Sequence, residues 1–294
     1  MTEINASLVK ALRDSTGVGM MDCKKALTET NGDIEAAKEW LRKKGISNAS
    51  KKSDRITSEG VIAVAINDKG AAVVELNSET DFVAKNSKFV ALADAIASEA
   101  LKTKADVESL QNAKLSDGVV ISDAIAENIA TLGENMRLAR VSYLSLPSHG
   151  VVSFYVHNAI ENSTTCGKIG VAVMIESDKE LTDKSKVQNI AKQIGMHIAA
   201  TKPEALDVGS LDQSHVEKEK SILTEQARAS GKPDNVIEKM IEGRLRKFYE
   251  EVVLLEQSFV INPDKKVSEV ISDLGKELGC SLKLSGYLRF ALGA

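Results

Sequence analysis

Hydrophobic residues recur at helical spacing along residues 1–45 and predict three short helices. The first helix is expected to stop at Thr16–Gly17, and Gly45 is expected to close the third. A bundle this small buries little apolar area, so we expect Trp40 to be its central packing residue. The stretch Ser47–Thr57 is polar, basic and poor in apolar residues, which indicates a linker.

Two apolar runs, 60–67 and 71–76, flank a turn at Asp68–Gly70 and predict a β-hairpin. After the hairpin, residues 77–86 connect its second strand to a long helix whose apolar side chains share one face. This stretch is therefore a corner between a strand and a helix. The apolar face of the helix comprises Phe89, Val90, Ala93, Ile96, Ala97 and Leu101.

The corner carries an acid beside an aromatic residue, Asp81–Phe82, in a chain that is only 4% aromatic. Thr80 or Ser78 is suited to cap a short helical turn there. One interpretation is a hydrophobic staple, in which Phe82 folds back onto its own helix and Asp81 favours the helix N-terminus. The other is an exposed wedge that a rigid corner presents to a partner. The local pattern alone favours the staple.

The order of a hairpin followed by a helix occurs twice, at about 60–102 and 150–200. Two related α+β subdomains, side by side, are the simplest interpretation of this recurrence. The tail is expected to return to the sheet as a strand at 252–261, a helix at 269–278 and a last strand at 281–292.

Between Pro203 and Glu250 the apolar period is purely helical, with a helix stop at Gly231–Pro233. Two helices joined by so short a turn lie antiparallel, which predicts an inserted helical hairpin. It either projects from the second subdomain or lies flat as ordinary core, and its high charge content favours projection. The apolar stripe of its second helix comprises Val236, Ile237, Met240, Ile241, Leu245 and Phe248.

These elements predict an α+β fold with an N-terminal three-helix bundle, two related core subdomains built from a hairpin and a helix, and an inserted antiparallel helical hairpin. The expected divisions are 1–55 for the N-terminal module and linker, 56–142 for the first core subdomain, 143–200 and 249–294 for the two parts of the second, and 201–248 for the helical hairpin.

Composition narrows the class of protein. The 294 residues are 43% hydrophobic and 27% charged, and the net charge of -4 argues against a general nucleic-acid binder. The sequence has no apolar run long enough to span a membrane and no signal-peptide pattern at residues 1–6. Cys23, Cys166 and Cys280 are far apart and lack metal-ligand spacing, so we expect a reduced, cytoplasmic compartment.

Motifs for covalent or metal chemistry are absent from the sequence, which has no P-loop, GxGxxG, GxSxG or suggestively paired carboxylates. We therefore expect a binding protein and not an enzyme. Gly17–Gly19 followed by Met20 and Met21 is suited to form an exposed apolar patch, because thioethers adapt to many surfaces. The alternative is that one methionine fills the core, and adjacent helical residues point in different directions, so we expect one of them to do so.

Five segments together closely resemble bacterial translation elongation factor Ts, and the resemblance covers nearly the whole chain. It is identified most specifically by Thr16–Leu27 (TGVGMMDCKKAL) and Thr80–Asn86 (TDFVAKN). The remaining segments are Ser7–Asp14 (SLVKALRD), His197–Glu204 (HIAATKPE) and Ser230–Pro233 (SGKP).

This resemblance implies a guanine nucleotide exchange factor for elongation factor Tu, with a ubiquitin-associated-like N-terminal bundle, two core subdomains and a helical hairpin inserted in the second. It also implies site residues. The contact near the partner's magnesium site would comprise Thr80, Asp81, Phe82 and Val83, and the N-terminal contact with the same G domain would comprise Arg13, Met20, Met21 and Lys24. Further contacts would be made by Met136 and Arg137 with the G domain and by His157 with a distal domain.

The mechanism so implied is allosteric displacement of GDP, with no cofactor, no direct nucleic acid and no membrane. The resemblance leaves open a homodimer or a 2:2 complex through the helical hairpin. Two rival functions are a non-catalytic adaptor, which would leave the Thr80–Phe82 corner without a role, and an RNA-binding translation protein. Steep salt dependence of RNA affinity would identify the latter.

Overall fold

The chain folds into helices and antiparallel sheet, the α+β class that the sequence predicts. A computed structural model describes residues 4–228 and 233–294 and, among these, the side chains of all but 46–51. The helices are α1 (Ala6–Thr16), α2 (Met20–Glu29), α3 (Ile34–Lys52), α4 (Asp81–Ala84), α5 (Ser87–Thr103), α6 (Val107–Gln111), α7 (Ile121–Leu132), α8 (Lys184–Thr201), α9 (Gln213–Arg228), α10 (Asp234–Val252) and α11 (Val267–Leu278). The strands are β1 (Glu59–Asn67), β2 (Gly70–Ser78), β3 (Met136–Ser145), β4 (His149–Ala159), β5 (Cys166–Ser177), β6 (Ser258–Phe259), β7 (Asn262–Lys266) and β8 (Leu282–Ala291).

The N-terminal module, α1–α3, has a small core of its own. Leu12, Cys23 and Leu27 are fully buried at its centre. Trp40 lies at the rim instead, partly exposed, with the Lys44 ammonium 5.0 Å from its ring centroid. The prediction that Trp40 is the central packing residue is therefore wrong. Smaller side chains fill the middle, and the indole gains a cation–π contact at the surface.

Helix α3 does not end at Gly45, as predicted, but continues to Lys52 through half of the expected linker, 47–57. Gly45 is buried where α3 packs on α7, and a Cβ there would lie 3.2 Å from the Cβ of Ala130. The glycine therefore serves close helix packing and not termination. At the end of α3, Lys52 Nζ donates to the Gly133 carbonyl oxygen at 2.6 Å. The module is thus docked on α7.

The main sheet contains two antiparallel three-stranded units, in the orders β1–β2–β3 and β4–β5–β8. In each unit a hairpin comes first, and its second strand then pairs with a strand that returns after the helices. Both returning pairings shift register, between Glu75 and Leu76 in one unit and between Met174 and Ile175 in the other. A short pairing of β1 with β5 connects the units.

A glycine occupies the second position of the first strand in both units. Gly60 has a φ of 140° and Gly150 a φ of 145°, a region that other residues rarely adopt. A Cβ at either position would lie 2.2 Å from a carbonyl oxygen of the paired strand, that of Leu76 or that of Ile175. The two units therefore share this feature as well as their strand order.

The two units pack face to face over a shared core. That core combines Val64 and Val73 of the first unit with Val152 and Phe290 of the second. On the outer faces, α5 and α7 cover the first unit, and α8 and α11 cover the second. Strand β2 is buried at every position as a result. Strands covered on both faces have continuous apolar runs, which explains the lack of alternation at 71–76.

Helices α9 and α10 form an antiparallel pair with a largely exposed surface, so the predicted helical hairpin is present as these two helices. Val216 near the start of α9 and Phe248 near the end of α10 belong to one apolar cluster at the base. Farther out, an Arg244 nitrogen donates to Gln226 Oε1 at 2.8 Å, so the helices run in opposite directions. The predicted stop at 231–233 lies mostly outside the described residues.

The strand predicted at 252–261 is wrong. Helix α10 continues to Val252, a 3-10 helix follows at Leu254–Glu256, and β6 pairs with β7 in a separate two-stranded sheet. The Gln257 side chain is buried at the bend and donates to the carbonyl oxygen of Glu251 at 2.7 Å, which holds the chain out of an extended path. The helix and the last strand predicted after this segment are confirmed as α11 and β8.

A buried histidine ties this irregular segment to α8. His197 is fully buried, and its Nε2 donates to Gln257 Oε1 at 2.8 Å, because the amide nitrogen of Gln257 already donates to Glu251. Its Nδ1 accepts from the Val260 N–H at 3.3 Å. Burial lowers the pKa of His197, with a smaller opposing effect from Gln257. The contact with Val260 requires the neutral ring, because a protonated Nδ1 cannot accept a hydrogen bond, whereas the bond to Gln257 forms in either state.

We expect the stability of the fold to depend on this histidine at acid pH. Since the folded-state pKa of His197 lies below the ordinary histidine value of 6.5, the unfolded chain binds more protons than the folded chain as the pH falls below about 6.5. The free energy of unfolding should then decrease by at most ~1.4 kcal/mol for each pH unit below about 6.5. Urea unfolding at pH 7.5 and pH 5.5 measures this decrease.

The variant His197→Gln should lose less stability between those two pH values than the unmodified chain does. His149 provides the matched control, because it is exposed at the start of β4. His149→Gln should lose as much stability between the two pH values as the unmodified chain does. Equal decreases for His197→Gln and the unmodified chain would contradict the assignment.

Candidate functional site

The strand-to-helix corner after β2 is built from two successive helix caps. Thr80 has an extended backbone and caps α4, with its hydroxyl accepting from the Val83 N–H at 3.5 Å. Asn86 then caps α5, with its side-chain oxygen accepting from the Lys88 N–H at 2.9 Å. The caps confirm that 77–86 is a corner, and they fix a single helical turn between two rigid elements.

Phe82 points into solvent at this corner. Its side chain is 82% exposed, whereas the next two residues, Val83 and Ala84, are 8% and 1% exposed. Both belong to the core formed by α5 and the first strand unit. The staple interpretation is therefore wrong: neighbouring residues of the helical turn, not the phenyl ring, anchor it. An exposed aromatic ring buries no apolar surface and so does not stabilise the fold.

Asp81 is paired at the surface before any partner is present. Lys85, one helical turn later, donates its ammonium to Asp81 Oδ2 at 2.6 Å. This hydrogen bond lowers the pKa of Asp81 and raises the pKa of Lys85. The carboxylate is therefore fully ionised at neutral pH and available as a hydrogen-bond acceptor beside Phe82.

A carboxylate from a distant loop also reaches the corner. Glu134, in the turn between α7 and β3, accepts from the Thr80 N–H at 2.9 Å and from the Thr80 hydroxyl at 2.6 Å. In the opposite direction, Glu79 Oε1 accepts from the Asn135 N–H at 2.6 Å. The sequence analysis missed this pairing, because a single sequence gives no signal for a contact across 54 positions.

Met20 and Met21 are both exposed at the start of α2, with 56% and 78% of their surface in contact with water. The expectation that one of them fills the core is wrong, because Leu12, Cys23 and Leu27 already fill it. The remaining residues that the resemblance implies for this contact, Arg13 and Lys24, are exposed as well.

The other candidate residues divide between the surface and the core. Arg137 and His157 are exposed, and His157 Nδ1 lies 3.0 Å from the Tyr155 hydroxyl. Met136 is only 4% exposed and, like Val83, packs in the first core. The expectation that the Met136 and Val83 side chains form contacts with a partner does not fit this burial, because the first strand unit encloses them.

Helix α5 lies beside three of the candidate surfaces. Its N-terminus follows Phe82 directly. A Cβ on Gly17, in the loop before Met20, would lie 2.3 Å from Lys88 Nζ. In its middle, Asp94 Oδ1 accepts from the hydroxyl of Thr165, in the loop between β4 and β5, at 2.7 Å and from Sγ of Cys166, the first residue of β5, at 3.1 Å. Burial and Asp94 together raise the pKa of Cys166, so this thiol is a structural donor.

Within residues 4–228 and 233–294, no group of three or more His, Cys, Asp or Glu side chains is arranged to hold a metal ion. Over the same residues, no helix combines the length and apolar character needed to cross a membrane. The features that stand out on this surface are instead exposed apolar side chains on a rigid frame, which are typical of protein–protein contacts.

Comparison with known proteins accounts for the whole chain. Residues 79–294 match the family model described as "Elongation factor TS", and residues 1–48 match that of "Elongation factor Ts, mitochondrial, N-terminal". The elongation factor Ts of Agrobacterium fabrum is 51% identical over 294 residues, which cover 100% of this chain and 94% of the relative. That of Rhodospirillum centenum is 49% identical with the same coverage of both chains. The chain therefore belongs to the elongation factor Ts family.

Proposed function

We propose that this protein is a guanine nucleotide exchange factor that binds elongation factor Tu with GDP and promotes GDP release during translation elongation. Asp81 and Phe82 would enter the partner near its magnesium site. Membership of the elongation factor Ts family supports the partner and the activity. The observation that carries the proposed mechanism is the 82% exposure of Phe82 on a helical turn anchored by buried neighbours.

The corner suits a wedge because its position is fixed before binding. The phenyl ring lies on a turn capped by Thr80 and followed at once by α5. Binding hot spots are side chains that fill well-packed, desolvated pockets, and a preorganised backbone lowers the entropy cost of inserting one. Asp81 supplies an ionised hydrogen-bond acceptor beside Phe82. To accept from the partner, its carboxylate either separates from Lys85 or moves together with it.

Exchange requires no bond-making chemistry and no cofactor on this chain. If the factor prefers the nucleotide-free partner, thermodynamic linkage requires that it lower the partner's GDP affinity by the same factor by which GDP lowers its own. A wedge that displaces the elements supporting magnesium provides that preference, because the metal neutralises the charge of the nucleotide phosphates.

The activity is tested by following release of a fluorescent GDP analogue from elongation factor Tu in excess unlabelled GDP. Addition of this protein should accelerate release, and added magnesium should oppose the acceleration. A release rate unchanged by saturating protein would exclude the proposed function.

The N-terminal module provides a second proposed contact, with the G domain of the same partner, through Met20 and Met21. Met20→Asp should weaken binding by about tenfold or more, because it places a charge in an apolar interface. The melting temperature should change little, since Met20 is 56% exposed. Isothermal titration calorimetry with nucleotide-free partner measures the affinity.

Thr28→Asp is the matched control for Met20→Asp. It adds the same charge to the same helix at an exposed position about two turns away. Equal affinity losses for the two variants would indicate a general charge effect and remove the case for a methionine contact. His157 and Arg137, on the strand units, are proposed as further contacts with the partner. Each can be tested in the same way, by comparing a substitution there with one at an exposed control position.

We assign α9 and α10 to assembly or docking and not to nucleotide release itself. Ile222 and Val236 remain 41% and 37% exposed on this pair, which leaves apolar surface for a second copy of the chain or for the partner. Replacing 217–247 by a short Gly–Ser turn removes the pair and keeps Val216 and Phe248 at its base. This variant should reach the normal exchange rate at saturation but need a higher concentration.

Sedimentation of the same deletion variant shows whether a homodimer or a 2:2 complex depends on the helix pair. A saturated exchange rate as low as that of a variant without the Phe82 ring would place the helix pair in the exchange machinery and contradict this assignment.

A further inference from the structure

The corner that carries Phe82 is too short to hold its own shape. Helix α4 has four residues, Asp81–Ala84, and a single helical turn is not stable in isolation. Phe82 is 82% exposed, so packing contributes little to the orientation of its ring. Its direction therefore depends on how the backbone of α4 is held at the two ends of the turn.

At the far end the turn is held by packing, and at the near end by a side chain. Val83 and Ala84 are buried in the first core. At the near end, the Thr80 N–H and the Thr80 hydroxyl both donate to the two oxygens of the Glu134 carboxylate. Charge-assisted bonds of this length are the strong class of protein hydrogen bonds.

The Glu134 carboxylate also decides what the Thr80 hydroxyl does. A hydroxyl has one proton to donate and lone pairs with which to accept. Since the proton goes to Glu134 Oε1, a lone pair is left for the Val83 N–H, and this is the capping bond of α4. Loss of the carboxylate frees the hydroxyl to rotate and weakens the cap.

The neighbouring residues make the arrangement reciprocal. Glu79 Oε1 accepts from the Asn135 N–H, while the Asn135 side chain, only 6% exposed, donates to the carbonyl oxygens of Ser53 and Arg55 at 3.3 and 2.9 Å. The turn that presents Glu134 is therefore itself fixed, both to the corner and to the segment that follows α3.

We propose that Glu134 is the positioning residue for the Phe82 wedge: it holds the Thr80 cap so that the ring is presented in one direction before the partner arrives. This inference rests on the proposed exchange function. It assigns Glu134 no contact with the partner. Its effect on exchange must therefore pass through Phe82.

A double-mutant cycle tests the proposal. Glu134→Gln leaves one acceptor oxygen for two donors, and we expect exchange at limiting concentration to slow by about tenfold. In a Phe82→Ala background the same substitution should change the rate less than about twofold. Glu127→Gln, at an exposed position on α7, should have no effect in either background.

A tenfold loss in both backgrounds would show that Glu134 acts independently of Phe82 and would overturn the proposal. Unchanged exchange in Glu134→Gln would overturn it as well. Thr80→Val, which lacks the hydroxyl that donates to Glu134, should reproduce the loosening of the corner.

Amide hydrogen exchange provides a measurement that does not depend on activity. In Glu134→Gln the amides of Thr80, Val83 and Ala84, which donate hydrogen bonds at the corner, should exchange faster, while those of β2 and α5 stay protected. Unchanged protection of these three amides would overturn the positioning role even if nucleotide exchange were slowed. Failure of the unmodified chain to accelerate GDP release from the partner would instead reject the proposed function. The hydrogen-exchange result would still show whether Glu134 holds the corner.

Discussion

Phe82→Ala is expected to slow stimulated GDP release from elongation factor Tu by about 30-fold or more, while the protein remains as stable as before. A central aromatic hot spot contributes ~2 kcal/mol or more to binding, which corresponds to that factor. Because the ring is 82% exposed in the free protein, its removal takes away almost no internal packing. Release of a fluorescent GDP analogue and a thermal melt, measured on the same preparation, test both parts.

Two results would contradict the prediction for Phe82→Ala. Near-normal exchange would mean that the ring is not the wedge, whatever its exposure. A fall of several degrees in the melting temperature would mean that the ring packs on the fold in solution. Phe82→Leu should be intermediate, since it keeps apolar volume but not the flat ring.

Phe89→Ala should have the opposite profile and the largest effect on stability. Phe89 lies three positions after the second cap, Asn86, is fully buried, and contributes to the core between α5 and the first strand unit. Removing a buried phenyl ring costs about 3–5 kcal/mol, through lost burial and the cavity that remains. That is a large part of the ~5–15 kcal/mol that stabilises a typical domain. Urea unfolding followed by circular dichroism measures the loss.

The exchange rate per folded molecule should stay close to normal in Phe89→Ala at low temperature, because Phe82 remains exposed at the corner. The two substitutions remove the same ring from positions seven apart in sequence, so each is the control for the other. A small stability loss in Phe89→Ala would indicate that the core relaxes into the cavity and that the corner tolerates more movement than described above.

Local signals in the sequence were sufficient for the corner but not for the direction of its aromatic ring. Caps act over two or three residues, so Thr80 and the turn that follows it can be predicted from the local sequence alone. The orientation of Phe82 depends on what is buried beside it and on Glu134, 54 positions away. Neither is visible in a local pattern. The staple prediction failed for that reason.

The same distinction explains the errors elsewhere. Gly45 has the sequence signature of a helix end, but it lies inside α3 because α7 approaches there. The apolar run after Val252 has the composition of a strand, but the buried Gln257 and His197 bend it away from the main sheet. Met20 and Met21 were expected to divide between core and surface, and the core proved to be full already. In each case tertiary packing overrode a local preference.

Helix α5 fixes the distance between two of the proposed contact surfaces. Lys88 lies beside the Gly17 loop, and Asp94 holds the loop after His157; at 1.5 Å per residue they are ~9 Å apart along the helix axis. A partner whose domains are turned away from the matching spacing can meet one surface at a time, and only the matching shape meets both. Once one surface is bound, the other is held at a high effective concentration. If both surfaces contact the partner as proposed, the chain would discriminate between conformations of that partner, and a mutation that bends α5 should reduce the discrimination without changing any contact residue.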